Sequence, residues 1–342
     1  MKKIVLTNLV ALLSLLTSFN LLSQTAVAPS GTGTACDPYQ ISNLNNLYWM
    51  TQTSASWASG KYFIQTANID AAATSTYFSN GSGGYYGLPS IGGGTQYNVN
   101  QQVGNFVSGS FAANYNGQGF TISNIYINRN THKVALFGET NNAVIKNLTL
   151  QNPTVIISNG VSGYYQGNAL FVASGSGTFD NIKIVGGTLT NNSIFAYTGG
   201  MFGRTGGIIA TNCSVDAVIT ITAGSGASGG FIAYSESSTS QFTNCFTKGS
   251  INAASTDFVG GFIGNSYNGS YTFQKCYSLM NVTGKNYVAG FVAGIPTAGQ
   301  NFSNCYANGN VTAVTSSGGG FFGYSYSSST SVISNCYAKG YA

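Results

Sequence analysis

The sequence predicts an all-β protein: a right-handed parallel β-helix solenoid of about 30-residue coils behind an N-terminal cap. Three observations carry that expectation. Cysteines stand at 36, 213, 245, 276, 305 and 336, and from Cys213 onward the intervals are 32, 31, 29 and 31 residues. Glycine-led apolar segments recur in step, as "GGMFG" at 199, "GGFIA" at 229, "GGFIG" at 260, "AGFVAG" at 289 and "GGFFG" at 319. A repeat of this length marks a solenoid, in which each unit buries its apolar face only by stacking on its neighbours. Composition agrees: only 19 of 342 residues are charged, 12 basic and 7 acidic, and Ser, Thr, Asn and Gly supply the polarity instead. Abundant Val, Ile, Phe and Tyr favour strands, and Gly and Asn favour tight turns.

The N-terminus, "MKKIVLTNLVALLSLLTSFNLLSQTAVAPS", places Lys2 and Lys3 before an apolar stretch from Ile4 to Leu22 and a small-residue Ala26-Val27-Ala28 segment. It reads as a secretory signal peptide over 1–28, with cleavage after Ala28 or nearer Gln24. An uncleaved anchor is the competing reading. A spanning helix needs roughly 20 mostly apolar residues, and six polar residues interrupt this one. The expectation is therefore a secreted, extracellular or cell-surface protein with no membrane span in the mature chain. Without Lys2 and Lys3, 10 basic and 7 acidic residues leave a net charge of +3, too small and scattered for a nucleic-acid partner.

Residues 29–119 read as the N-terminal cap and first irregular coils. "CDPYQISNLNNLYWMTQ" suggests a short strand and then a helix capped by Ser42 that presents Leu44, Leu47 and Tyr48. The repeats occupy 120–342. Two degenerate copies, "ALFG" at 135 and "ALFV" at 169, precede the glycine-led ones. The second half of each unit aligns as "ISNIYI", "IKNLTL", "FDNIKI", "ATNCSV", "FTNCFT", "FQKCYS", "FSNCYA" and "ISNCYA". The cysteine column thus holds Ile125, Leu148 and Ile182 in the earlier units, which makes it an interior apolar position. The asparagine column holds Asn124, Asn147, Asn181, Asn212, Asn244, Asn304 and Asn335, with Lys275 as the exception. An Asn at a fixed bend tolerates left-handed backbone.

Alternation along a strand then points Cys276 and Ser278 inward and Tyr277 outward, with Phe273 inward if the chain bends at Gln274-Lys275. The glycine pairs mark sharp turns or close backbone approach. Whether Phe262 or Ile263 faces the core is left open by the pattern. The last aligned segment lies four residues before Ala342. Either further sequence follows, or the last rung is an edge available for end-to-end contact with a partner.

These motifs resemble the GLUG-motif repeat proteins. The resemblance rests on "DPYQISNLNNLYWM", "YFIQTANIDA", "GSFAANYNGQGFTISNIYI", "ALFG", "IKNLTL", "GGFIG" and "NCYANGNV", and spans residues 33–342. It implies a parallel β-helix in secreted and cell-surface bacterial proteins, some with a stalk or adhesive role. Related repeats accompany immunoglobulin A metallopeptidases, but a His-Glu-x-x-His zinc motif has no counterpart here, because His132 is the only histidine. "ALFV" and "GGFIA" lack the final glycine and "AGFVAG" displaces it, so the repeat edges are blurred.

Chemistry-bearing groups are sparse. The acids are Asp37, Asp70, Glu139, Asp180, Asp216, Glu236 and Asp257, no two within ten residues. Asp180, Asp216 and Asp257 come from successive coils but occupy different places in the unit, as solvated turn residues do. No catalytic residue, metal site or cofactor is expected. Zinc needs three or four clustered ligands. The cysteines read as buried thiols, with stacked disulfides as the alternative. "GSGASG" at 224–229 fits a dinucleotide-binding pattern but lies in an ordinary turn with no helix after it. The column after the cysteine holds Phe246, Tyr277, Tyr306 and Tyr337, which stacked outward would form an aromatic strip against which sugars pack. The polar tracts at 233–241, 264–272 and 323–331 would project nearby. The functional expectation is an adhesin or structural stalk, with an extracellular glycan or a surface protein as partner. A β-helix polysaccharide lyase or hydrolase is the rival, and a solely structural aromatic ladder is the plainer reading.

Overall fold

The structure, a computed structural model, describes residues 24–93, 107–131, 133–158, 166–194, 196–224, 226–236, 239–267, 269–295, 299–325 and 331–341. The expected signal segment up to residue 23, His132, Ser225 of "GSGASG" and parts of the three polar tracts lie outside them. The chain forms a parallel β-solenoid of about 7 turns, with successive strands about 31 residues apart. No helix among the described residues is long and apolar enough to cross a membrane.

One coil serves for all. It runs through the strands Phe258–Gly260, Ile263–Ser266, Tyr271–Gln274 and Tyr277–Gly284. Each strand pairs in parallel with its equivalent one coil away, so that Phe242, Phe273 and Phe302 align, as do Phe246, Tyr277, Tyr306 and Tyr337. The strands that enter the glycine pairs form a separate six-stranded sheet, from Gln166–Ala169 to Ser317–Gly319.

Two bends close each coil, and each has a chemical cause. At the first, Asn147, Asn181, Asn212, Asn244, Asn304 and Asn335 all have φ between 52° and 55°, and Lys275 has φ 55°. That is left-handed backbone, which Asn tolerates better than other side-chain-bearing residues. The amides also bond along the stack: Asn181 Nδ2 donates to Asn147 Oδ1 (3.1 Å), Asn244 to Asn212 (3.2 Å) and Asn335 to Asn304 (3.2 Å). Asn124, expected in this column, instead falls in register with Asn152 at another bend, because an extra turn at 117–120 offsets that coil. At the second bend, the glycine pair leaves no room for a side chain. A Cβ on Gly260 would lie 1.8 Å from the Ile263 carbonyl oxygen, and one on Gly261 would lie 2.2 Å from that of Gly290 in the next coil. Close approach, rather than positive φ, requires glycine here.

That tight turn resolves the ambiguity over Phe262 and Ile263: both are buried. Phe231, Phe262, Phe291 and Phe321 stack at centroid spacings of 4.6, 4.9 and 4.7 Å. Phe242, Phe273 and Phe302 form a second column at 5.1 and 4.8 Å, and the columns meet edge to face, as at Phe273 and Phe291 (77°). Cys213, Cys245, Cys276 and Cys305 are fully buried beside them. Rung-to-rung backbone bonds, such as Tyr277 N–H to the Cys245 carbonyl (3.1 Å), hold the cysteines in one column. All six cysteines are thiols. The Cys276 sulfur lies 3.4 Å from the carbonyls of Phe242 and Gln274. Burial, with hydrogen bonds that the protonated thiol donates toward Cys213 and Cys276, pushes the Cys245 thiol well above its ordinary pKa, which keeps it protonated and unreactive.

The stack continues into the N-terminal region. Tyr39–Ile41 pairs with Tyr62–Gln65, which pairs with Asn114–Asn116 and so with Phe137–Gln151. The helix Leu44–Gln52 buries Leu47, Tyr48 and Met50 against the core, while Leu44 packs at its margin. Its cap is Asn43 rather than the expected Ser42. Asn43 Oδ1 accepts from the Asn46 N–H at 3.0 Å, whereas the Ser42 hydroxyl donates to the Asn46 side chain. Buried Arg129 donates from Nη2 to the Gly87 carbonyl (2.8 Å) and lies over the rings of Phe78 and Tyr86, fastening that loop to the coil.

Candidate functional site

The corner that carries the asparagine bend also carries the outward aromatics. Because the Cys side chain points in at each bend, the next residue points out, and register repeats it in every coil. Phe246 and Tyr277 stack with centroids 4.9 Å apart and planes 1° from parallel. Tyr277 and Tyr306 follow at 4.8 Å and 2°, and Tyr306 and Tyr337 at 5.2 Å and 5°. All four expected site residues therefore lie in one continuous ladder.

The geometry changes what that ladder offers. Parallel rings lying flat side by side would need roughly 6 Å between centroids to avoid carbon–carbon overlap. At 4.8 Å they must overlap face on face, so the expected flat platform for sugar rings is not present. The faces are turned to one another. Ring edges and the hydroxyls of Tyr277, Tyr306 and Tyr337 line the outside. Tyr337, with one neighbour, is 57% exposed, and the other three are half-buried. Burial and the neighbouring phenols of Tyr277 and Tyr337 push the Tyr306 phenol above its ordinary pKa.

Polar groups flank the ladder along Tyr277–Gly284 and its equivalents. Lys248 is 3.2 Å from Asp216 one coil away, and Asn281 Oδ1 accepts from the Asn310 N–H (3.0 Å). Lys183 aligns with Ser214 and so with Phe246, which puts it in the ladder's own column two coils earlier.

All seven carboxylates are accounted for. Glu139 pairs with Lys133, Asp216 with Lys248, Glu236 with Arg204 and Asp257 with Lys285. Asp70 accepts from the Asn124 amide and the Ala72 N–H, which hold its carboxyl below the usual carboxylate value. Asp180 accepts from Asn212, and Asp37 accepts from the Thr32 N–H. Three of the four ion pairs join successive coils, which explains why these acids occupy different places in the unit. Among the described residues no three His, Cys, Asp or Glu side chains cluster as metal ligands.

A second outward aromatic group escaped the sequence reading. Tyr197 stacks on Tyr234 (4.2 Å), and Phe258, Tyr287 and Tyr324 follow one another at 4.8 and 4.7 Å. These rings come from strands on either side of the glycine pair, so no single sequence column holds them. Aligning the residue two before the pair with the residue four after it would have found them. A shallow cleft of roughly 190 Å³ lies on the N-terminal coils, lined by Pro38, Tyr62, Ile64, Asn114, Val144 and Lys146 among others.

No family model matches the chain, so the resemblance to GLUG-motif repeats rests on the motifs alone. The chain is 31% identical over 171 residues to halomucin of Haloquadratum walsbyi; the match takes in 49% of this chain and 2% of that protein. Among solved structures it is similar to a Bacteroides ovatus protein proposed as an immunoglobulin A1 protease. The TM-score is 0.55 and the identity 17%, over 91% of this chain and 86% of that one. At that identity the similarity is one of fold: a parallel β-solenoid over nearly the whole chain.

Proposed function

We propose that this is a secreted or cell-surface repeat protein of the GLUG type that acts as an adhesive stalk and binds an extended glycan along Phe246, Tyr277, Tyr306 and Tyr337. The observation that carries the reading is the unbroken outward ladder, whose phenol hydroxyls stand about one coil spacing apart on the same face as Asn281, four residues further along the Tyr277 strand. A row of donors and acceptors at a fixed repeat suits a polymer better than a small molecule. The signal-like N-terminus and the similarity to halomucin support an extracellular place. The rival, a carbohydrate-active enzyme, needs carboxylates free for proton transfer. The engagement of all seven in structural pairs favours binding.

The test is a glycan-array screen of the full chain beside the triple variant Tyr277→Ser, Tyr306→Ser, Tyr337→Ser, with circular dichroism of both. Specific binding by the native chain that the folded variant loses is expected. Binding by neither would contradict the glycan reading and leave a stalk whose partner attaches elsewhere.

A further inference from the structure

Resting on the glycan reading of the same corner, we infer that the ladder takes an anionic glycan and that Lys275 receives its carboxylate or sulfate groups. The first observation is backbone geometry. Lys275 occupies, at φ 55°, a bend that asparagine fills in the other six coils in register with it. Lysine gains nothing from left-handed backbone, and its presence interrupts the amide chain. Asn244 bonds back to Asn212 and Asn335 back to Asn304, but no such bond joins Asn244 to Asn304 across the Lys275 coil. The amide bonds that join Asn147 to Asn181, Asn212 to Asn244 and Asn304 to Asn335 have no counterpart at the coil of Tyr277, in the middle of the ladder.

The second observation is charge. Four exposed lysines, Lys146, Lys183, Lys275 and Lys339, take part in none of the ion pairs. Three of them border this corner. Lys183 lies in the ladder's own column, three coils or about 14 Å from Tyr277. Lys339 follows Tyr337 by two residues and so lies on the same face. The one carboxylate on that face, Asp216, is already matched by Lys248. Asp180 lies across the bend, where it accepts from Asn212. The ladder is therefore bordered by three uncompensated cations spread along the solenoid axis, which fits a linear polyanion lying along it. Lys275 is exposed at the bend two residues before Tyr277, so a single sugar unit at that corner can meet a cation and a hydroxyl together.

The test titrates the full chain with polygalacturonate oligomers, dextran sulfate, neutral dextran and a single-stranded DNA oligomer, at low and at 0.5 M salt. Lys275→Asn is the variant of choice, because it restores the residue the bend prefers and preserves the fold. The expected result is binding of one or both charged glycans, weakened by salt and about tenfold weaker in the variant, as for loss of one charge-assisted contact. Whichever charged glycan is held identifies the carboxylate or the sulfate as the recognised group. Two results would overturn the inference while leaving the glycan reading standing: neutral dextran held as tightly as the charged glycans, or charged-glycan binding that Lys275→Asn does not change. DNA held as tightly as either charged glycan would overturn the ligand class. Binding of no glycan would overturn both readings.

Discussion

Two aromatic ladders run through the last four coils with nearly the same spacing. Inside, Phe231, Phe262, Phe291 and Phe321 stack at 4.6 to 4.9 Å; outside, Phe246, Tyr277, Tyr306 and Tyr337 stack at 4.8 to 5.2 Å. Register alone produces both, since any residue repeated in a parallel stack meets its copy one strand spacing away. Stacking is thus no mark of function. What separates the ladders is the surroundings of the rings. The inner rings also meet the Phe242, Phe273 and Phe302 column edge to face and are closed in by the glycine turn, whereas the outer ones touch chiefly each other and water. The inner ladder should decide whether the chain folds, and the outer one what it holds.

Substitutions can break that comparison in order of expected effect. The largest belongs to the turn that seals the interior. Gly261→Val would place a Cβ 2.2 Å from the Gly290 carbonyl oxygen, and no rotamer relieves a backbone clash, so circular dichroism should show no native chain. Next comes Phe262→Ala, which should lower stability by about 3–5 kcal/mol in urea denaturation, the usual result for an aromatic lost from a close-packed core. Third is pH. Burial raises the Tyr271 phenol from 10.0 to about 12 and pushes the Tyr115 phenol up as well. Both are neutral in the folded chain while their unfolded counterparts ionise near pH 10. Stability should therefore hold below pH 10 and fall by about 2–3 kcal/mol for Tyr271 as pH rises to 12. Tyr277→Ser should cost only about 1 kcal/mol, as for exposed cross-strand pairs. The smallest effect has the opposite sign: Lys275→Asn should raise stability by about 0.5–1 kcal/mol through relief of left-handed backbone and repair of the amide chain.

Much of this architecture was legible because a solenoid converts sequence columns into spatial ones. The cysteine intervals, the exchange of Cys with Leu148 and Ile182, and the asparagine bend from Asn147 onward each named a column that the fold contains, whereas Ile125 falls in register with Pro153 and not with Leu148. The misses share a cause. Phe262 and Ile263 could not be ordered because the glycine pair buries two successive residues, which alternation does not foresee. The ladder residues were found but their ring orientation was not, because spacing fixes where a side chain starts and not how its plane tilts. Tyr197, Tyr234, Phe258, Tyr287 and Tyr324 were missed because two columns contribute to that group. The pairing of Asp216 with Lys248 depends on register across coils, which local sequence does not display. Asn43 displaced Ser42 as the helix cap by one residue, and either side chain suits the position.

One paired measurement tests the division of labour between the two ladders. Urea denaturation and glycan binding would be recorded together for the native chain, for Phe262→Ala and for the variant with Tyr277, Tyr306 and Tyr337 changed to Ser. The tyrosine variant should keep most of its stability and lose binding, while Phe262→Ala should lose stability and bind normally in whatever fraction remains folded. A tyrosine variant as unstable as Phe262→Ala, with binding retained in its folded fraction, would contradict that division and make the outer ladder a second structural spine.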